Sequence, residues 1–166
     1  DEFPIHAVKL DAFYIGKYEV QQGLWENIMG DNPSGNNDCG VDCPVENIDW
    51  YSMIIFCNEL TLSVADMTGA DLVYYKDEAL TDPWSKDDYN GNGDTSSGDA
   101  FCATKKKGYR LPTESEWEYA ARGGAQSGNY RFSGSNNIDE VAWYSVYSVN
   151  STHKSGMKNP NELGIY

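Results

Sequence analysis

The segment GYRLPTESEWEYAARGG, residues 108–124, constrains the fold more than any other stretch of the chain. Pro112 has no backbone N–H, so a helix here can start only after it. Thr113 and Glu116 stand at the T-x-x-E spacing of a capping box. In that device the hydroxyl accepts from the residue-116 N–H and the carboxylate accepts from the residue-113 N–H. Glu114, Glu116 and Glu118 fall in the first turns, where the helix dipole favours negative charge. Arg122 falls in the last turn, and Gly123 or Gly124 can supply the left-handed stop. Trp117, Ala120 and Ala121 share a face that is expected to pack inward. Glu114 and Glu118 are spaced for acid–base work or metal ligation, but no His, Cys or Lys joins them at a useful spacing. The segment reads as architecture.

The rest of the chain predicts an α+β fold of short elements. AVKLDAFYIGKYEV alternates apolar and polar residues and breaks at Gly16, which predicts two short strands or a hairpin. QQGLWENIMG places Trp25, Ile28 and Met29 at helical spacing and stops at Gly30. Asp49 is a candidate N-cap for WYSMIIFCNEL, where Trp50, Met53, Ile54, Cys57 and Leu60 form one apolar stripe. LVYYKDEAL predicts an edge strand, and DEVAWYSVYSV a further strand. Lys105, Lys106 and Lys107 read as a solvated loop. His6 and His153, isolated in sequence, read as hydrogen-bonded loop residues.

With 166 residues the chain fits a single domain, 1–166, with 71–107 as an insert. A formal charge of −14 repels phosphate backbones and anionic lipid, which excludes nucleic acid as a partner. No apolar run approaches the length of a membrane span. Four cysteines stand at 39, 43, 57 and 102, and Cys39 and Cys43 are spaced to close a small disulfide loop. Few lysines with many Asn, Ser, Gly and Tyr lean toward an extracytoplasmic or cell-envelope setting, and an export signal removed ahead of residue 1 would fit it.

Within the insert, DDYNGNGDTSSGD sets Asp88, Asn90, Asn92, Asp94, Ser96 and Asp99 at loop positions 1, 3, 5, 7, 9 and 12, with Gly93 at position 6. Calcium-binding loops of the EF-hand or dockerin kind draw hard oxygen ligands from those positions, with glycine at the sharp turn. Calcium is therefore the expected cofactor. The alternative is a hydrophilic loop whose Asn, Gly and Asp simply make turns.

YRLPTESEWEYAARGG resembles the signature of the formylglycine-generating enzymes, or sulfatase-modifying factors, with Arg110, Thr113, Glu116, Trp117 and Arg122 as its structural residues. FPIHAVKLDAFYIGKYEVQQGLWENIMGDNPS, CPVENIDWYSMIIFCNEL, VAWYSVYS with THKSG, and KNPNELGIY agree in order. The resemblance implies a variant of the C-type lectin fold, with two packed helices, short twisted antiparallel strands and much irregular loop. Members continue past GIY, and their enzymes carry a copper-binding, redox-active cysteine pair in that later part. No cysteine here matches the pair, so no catalytic residue carries over, and copper is expected only if a later part supplies it. Cys57 matches a helix cysteine that in some members is joined to that later part by a disulfide. Gln21 stands where relatives have a probable N-cap Thr, and Trp143 near where the enzymes place an Asn calcium ligand.

Members include oxidases of sulfatase cysteine, relatives in other oxidative chemistry, envelope lipoproteins without known catalysis, and retroelement-diversified ligand-binding proteins. The expectation is a non-catalytic binding or envelope module taking a protein or small ligand. The alternatives are an oxidase completed by the later part and a diversified, lectin-like binder.

Overall fold

The computed structural model describes residues 7–95, 97–144 and 151–166. They fall into two units. The larger spans Glu19–Leu111 with the described part of Ser145–Ser155; the smaller takes the described part of Asp1–Tyr18, Pro112–Tyr144 and Gly156–Tyr166.

In the larger unit, helix α1 (Gln22–Met29) buries Trp25 and Met29 and ends where Gly30 turns left-handed at φ 88°. A side chain there would be strained, which is why the stop falls on glycine. Gln21 makes no side-chain cap. The neighbouring loop does the capping instead: the Gln22 N–H donates to the Cys43 carbonyl at 2.8 Å and the Gly23 N–H to the Val41 carbonyl at 3.0 Å. These are two of the N–H groups that a helix start leaves without partners. A Cβ on Gly23 would stand 2.9 Å from the Val41 Cβ, so only glycine lets the loop come this close. The expected disulfide, Cys39–Cys43, closes that loop. Gln22, itself buried, fastens it further, donating to the Asn36 and Pro44 carbonyls and accepting from Asn32.

Helix α2 (Trp50–Ser63) is capped by Asp49, whose carboxylate accepts from the Ser52 N–H. Its burial is wider than one stripe. Ile54, Ile55, Phe56, Cys57 and Asn58 are consecutive and all buried, whereas Trp50 is 47% exposed. Five buried residues in a row cannot share one face of a helix with 3.6 residues per turn. α2 is covered on more than one side: Phe56 stacks on Trp25 of α1 at 5.0 Å, while Asn58 meets β1.

Strand β1 (Tyr74–Tyr75) pairs antiparallel with β4 (Phe101–Cys102), and β2 (Tyr89–Gly91) with β3 (Asp94–Thr95). β1 is not the edge expected of LVYYKDEAL. On the side away from β4 it receives Trp84 N–H on the Tyr74 carbonyl and gives Lys76 N–H to Asp82. Leu72, Val73, Tyr74, Tyr75 and Trp84 are buried, so residues of the 71–107 stretch build the core rather than decorate it. Lys106 is drawn out of the solvated run to donate to the Tyr75 hydroxyl at 2.7 Å.

The amide of Asn58 joins helix to strands. Its nitrogen donates to the carbonyls of Tyr74 (2.8 Å) and Trp84 (2.7 Å), and its oxygen accepts from the N–H groups of Val73 (3.1 Å) and Tyr74 (3.2 Å).

In the smaller unit, α3 (Glu114–Ala121) carries the complete Thr113–Glu116 capping box. Its inward residues are Glu116 and Ala120; Trp117 is 57% exposed, contrary to the sequence expectation. Position 117 lies about 100° around the helix from position 116, and the box commits Glu116 to the covered side. Among the described residues, 7–18 form no strand, although their side chains alternate; the backbone–backbone bond of this stretch is Tyr166 N–H to the Lys17 carbonyl. Alternation reports two different faces, but a strand also needs a partner backbone. In DEVAWYSVYSV, residues Ile138–Val141 form a short helix, α4, and 145–150 lie outside the described residues. Asn161 repeats the Asn58 device. It donates to the Ala120 carbonyl and Ser133 hydroxyl and accepts from the Leu163 and Ile165 N–H groups.

Asn58→Leu keeps the volume but takes their Asn58 partner from the buried Trp84 carbonyl and the Val73 and Tyr74 N–H groups, and leaves the Tyr74 carbonyl only its bond from Trp84. It is expected to cost at least about 3 kcal/mol, read as a lower urea midpoint at unchanged slope. Replacing Cys39 and Cys43 together with serine should cost about 2 kcal/mol from loop-closure entropy. The α1 backbone amides should then exchange hydrogen faster than those of α2, because the loop that caps α1 is loosened.

Candidate functional site

The six residues of the expected calcium loop are placed as follows. Asp88 receives Lys76 Nζ at 3.0 and 3.1 Å and the Ser85 N–H at 3.0 Å. Burial works against its charge, but the Ser85 N–H and the lysine outweigh burial and hold the carboxyl below the usual range. Asn90 is exposed on β2, and Asn92 sits at the hairpin turn with its N–H on the Asp31 carboxylate at 2.7 Å. Asp94 is exposed on β3, and the backbone carbonyl of Asp99 accepts from the Trp84 indole. Ser96 lies outside the described residues. The stretch is thus a hairpin fastened from outside. Gly93 packs so closely that a Cβ would fall 2.0 Å from the Asn47 carbonyl oxygen, and its own carbonyl accepts the Asp49 N–H. Among the described residues no three His, Cys, Asp or Glu side chains come together to hold a metal ion. The arrangement sets the Lys76 ammonium against the carboxylate at the first position of the loop. At Trp143, near where the family's enzymes have a calcium ligand, Lys158 Nζ stands 4.0 Å over the indole ring.

The signature helix holds no reactive constellation. Glu118 pairs with Arg122 at 2.8 Å, both well exposed, a contact of the kind that contributes little to stability. Glu114 is exposed. Glu116 is occupied by the cap, and Arg110 donates to the Leu111 carbonyl.

The cysteines divide into a closed pair and two thiols. Cys39 and Cys43 are joined. Burial, assisted by the neighbouring Cys102, pushes the Cys57 thiol up to about 12. Burial also raises the more exposed Cys102, with Arg110 opposing it. The thiolate is the nucleophile and the metal ligand, so burial lowers the reactivity of both free cysteines, and of Cys57 most.

Among the described residues of the smaller unit, a shallow cleft of about 400 Å³ lies between residues 8–15 and α3. Leu10, Phe13 and Ile15 form one wall, Tyr119 and Leu163 the other, and Asp11 supplies a charge. A second depression of about 320 Å³ shares Val8, Leu10 and Tyr119 and extends to Glu118 and Arg122. An apolar lining with a few polar groups is the usual make-up of a ligand site. Sequence reasoning missed this cleft. The signal available was the exposed face of the signature helix, where Tyr119 and Trp117 stand among the charges.

A model of the sulfatase-modifying factor enzyme 1-like domain matches residues 1–166. The chaperone protein LppX of Paenibacillus barcinonensis is 40% identical over 176 residues, covering 96% of this chain and 59% of that protein. Among solved structures, Treponema denticola variable protein 1 superposes with a TM-score of 0.75 at 34% identity, covering 91% of this chain and 56% of that one. CarF shares the fold at a TM-score of 0.66 and 22% identity, covering 90% of this chain and 62% of its own. The chain spans less than two thirds of the length of each of these relatives. By the match along its whole length, the chain belongs to the sulfatase-modifying factor family, and its α+β fold is that family's variant of the C-type lectin fold.

Proposed function

We propose that the chain is a non-catalytic, extracytoplasmic binding module for polypeptide, built on the sulfatase-modifying-factor fold. One observation carries the reading: of the four cysteines, Cys102 alone is an exposed free thiol. One pair is closed in the loop that caps α1, and Cys57 is a buried thiol held protonated. Cysteine oxidation by this family's enzymes needs two accessible sulfurs that can hold copper, and these positions do not offer them. The cleft of the smaller unit is the surface that takes the ligand. An apolar peptide segment suits it, since its lining is largely aliphatic and aromatic. The 40% identity to a protein named a chaperone supports a polypeptide ligand. The disulfide supports an oxidising compartment. The likeness to a variable protein favours a second reading, in which the same surface takes different ligands in different copies.

The test has two arms, both run on the chain and on the full-length product of its gene. With copper(I), oxygen and a Cys-x-Pro-x-Arg peptide, the peptide thiol should be recovered intact; an aldehyde product would overturn the non-catalytic reading. With a thermally unfolding model enzyme as client, the protein should suppress light scattering. Val8→Asp with Ile15→Asp, both exposed positions, should reduce that suppression while leaving the melting temperature unchanged. Equal suppression by the variant would remove the cleft from the function.

A further inference from the structure

Tyr74 is the common neighbour of two thiols. Tyr74 and Cys102 are directly opposed across β1 and β4. Cross-strand partners project their side chains to the same face of the pair. Tyr74 packs in the same buried cluster as Cys57 of α2, so Cys102 projects from the face that α2 covers. The helix is held to that strand at this very level, because Asn58, next to Cys57, bonds both the N–H and the carbonyl of Tyr74. Ionising Cys102 opposes ionising Cys57, and the Tyr74 hydroxyl senses both sulfurs, so all three lie within electrostatic reach of one another. Among the described residues these are the free cysteines, one buried and one exposed. That difference gives oxidation an order: an oxidant reaches Cys102 first and Cys57 only through it.

We propose that Cys57 and Cys102 are joined as a second disulfide, linking α2 to β4, when the protein meets a disulfide oxidant. The Cys102 thiolate attacks the oxidant RSSR, forming Cys102–S–S–R and releasing RS⁻. The Cys57 thiolate then displaces the second RS⁻ and forms Cys57–S–S–Cys102. The two protein thiols give up two protons and two electrons, and RSSR is reduced to two RSH. The raised position of Cys57 makes the second step slow, and it proceeds as the packing around α2 opens. The product bond ties α2 to β4, with the Cys57 sulfur buried, so it serves as a brace and not as a redox centre for substrate. This inference is independent of the ligand assigned above.

The test treats the natively folded chain and the full-length gene product with oxidised glutathione, then denatures, alkylates and digests them without reduction. Peptide masses should show a Cys57–Cys102 linkage beside the Cys39–Cys43 one, with the intact mass lower by the two hydrogens of one disulfide. Cys102→Ser, at an exposed position, should keep the fold and leave Cys57 fully alkylated. Recovery of Cys102 only as its glutathione adduct, with Cys57 alkylated, would overturn the proposal. So would Cys57 joined to any other sulfur.

Discussion

The carboxamide of Asn58 is the interaction on which the larger unit rests. A primary amide offers the same donors and acceptor as the peptide groups of a strand, so a helix side chain can stand in for one. From α2 it binds residues 73 and 74 and the carbonyl of Trp84, and so fixes the line along which β1 lies. A strand of two residues could not hold such a position by its own ladder. In the smaller unit Asn161 does the same for the end of α3 and the turn at 161–165. Each unit thus replaces sheet with one saturated, buried amide. Backbone groups that a longer sheet would pair are met by these amides instead.

The second constraint is the loop at 39–43. By placing the Val41 and Cys43 carbonyls over the first turn of α1, it supplies what Gln21 lacks as a cap. The disulfide has a concrete mechanical role here, because closing the loop keeps those carbonyls on the helix N-terminus. That role is also why the two sulfurs are unavailable for chemistry. Binding, in the reading favoured here, belongs to a different part of the molecule, where the aliphatic residues of 8–15 face Tyr119 and Leu163.

Much of the local structure was legible residue by residue. Asp49, Thr113 with Glu116, and Gly30 act as the cap and stop signals that their positions suggest, since each works within one turn of chain. The Cys39–Cys43 bridge belongs to the same class. What misleads is any inference from spacing to facing. Trp117 and Trp50 have helical spacing for burial, yet neighbouring residues take the covered side. Residues 7–18 alternate as a strand should, yet form no strand among the described residues, where Lys17 accepts a backbone bond from Tyr166. The ligand spacing over 88–99 orders oxygen atoms along the chain, while Lys76 pairs with the Asp88 carboxylate and Asp31 and Trp84 bond the backbone of Asn92 and Asp99.

From its residues alone the chain settles where α1 ends, where α2 and α3 begin, which family it belongs to, and that it carries a formal charge of −14. These depend on groups within a few positions of one another, or on net charge. Tertiary structure decided the rest: that Asn58 and Asn161 are keystones, that Val73, Tyr74 and Trp84 of the 71–107 stretch join the core, and that a cleft opens beside α3. Each of those depends on which distant backbone a side chain meets, and spacing along the sequence carries no information about that.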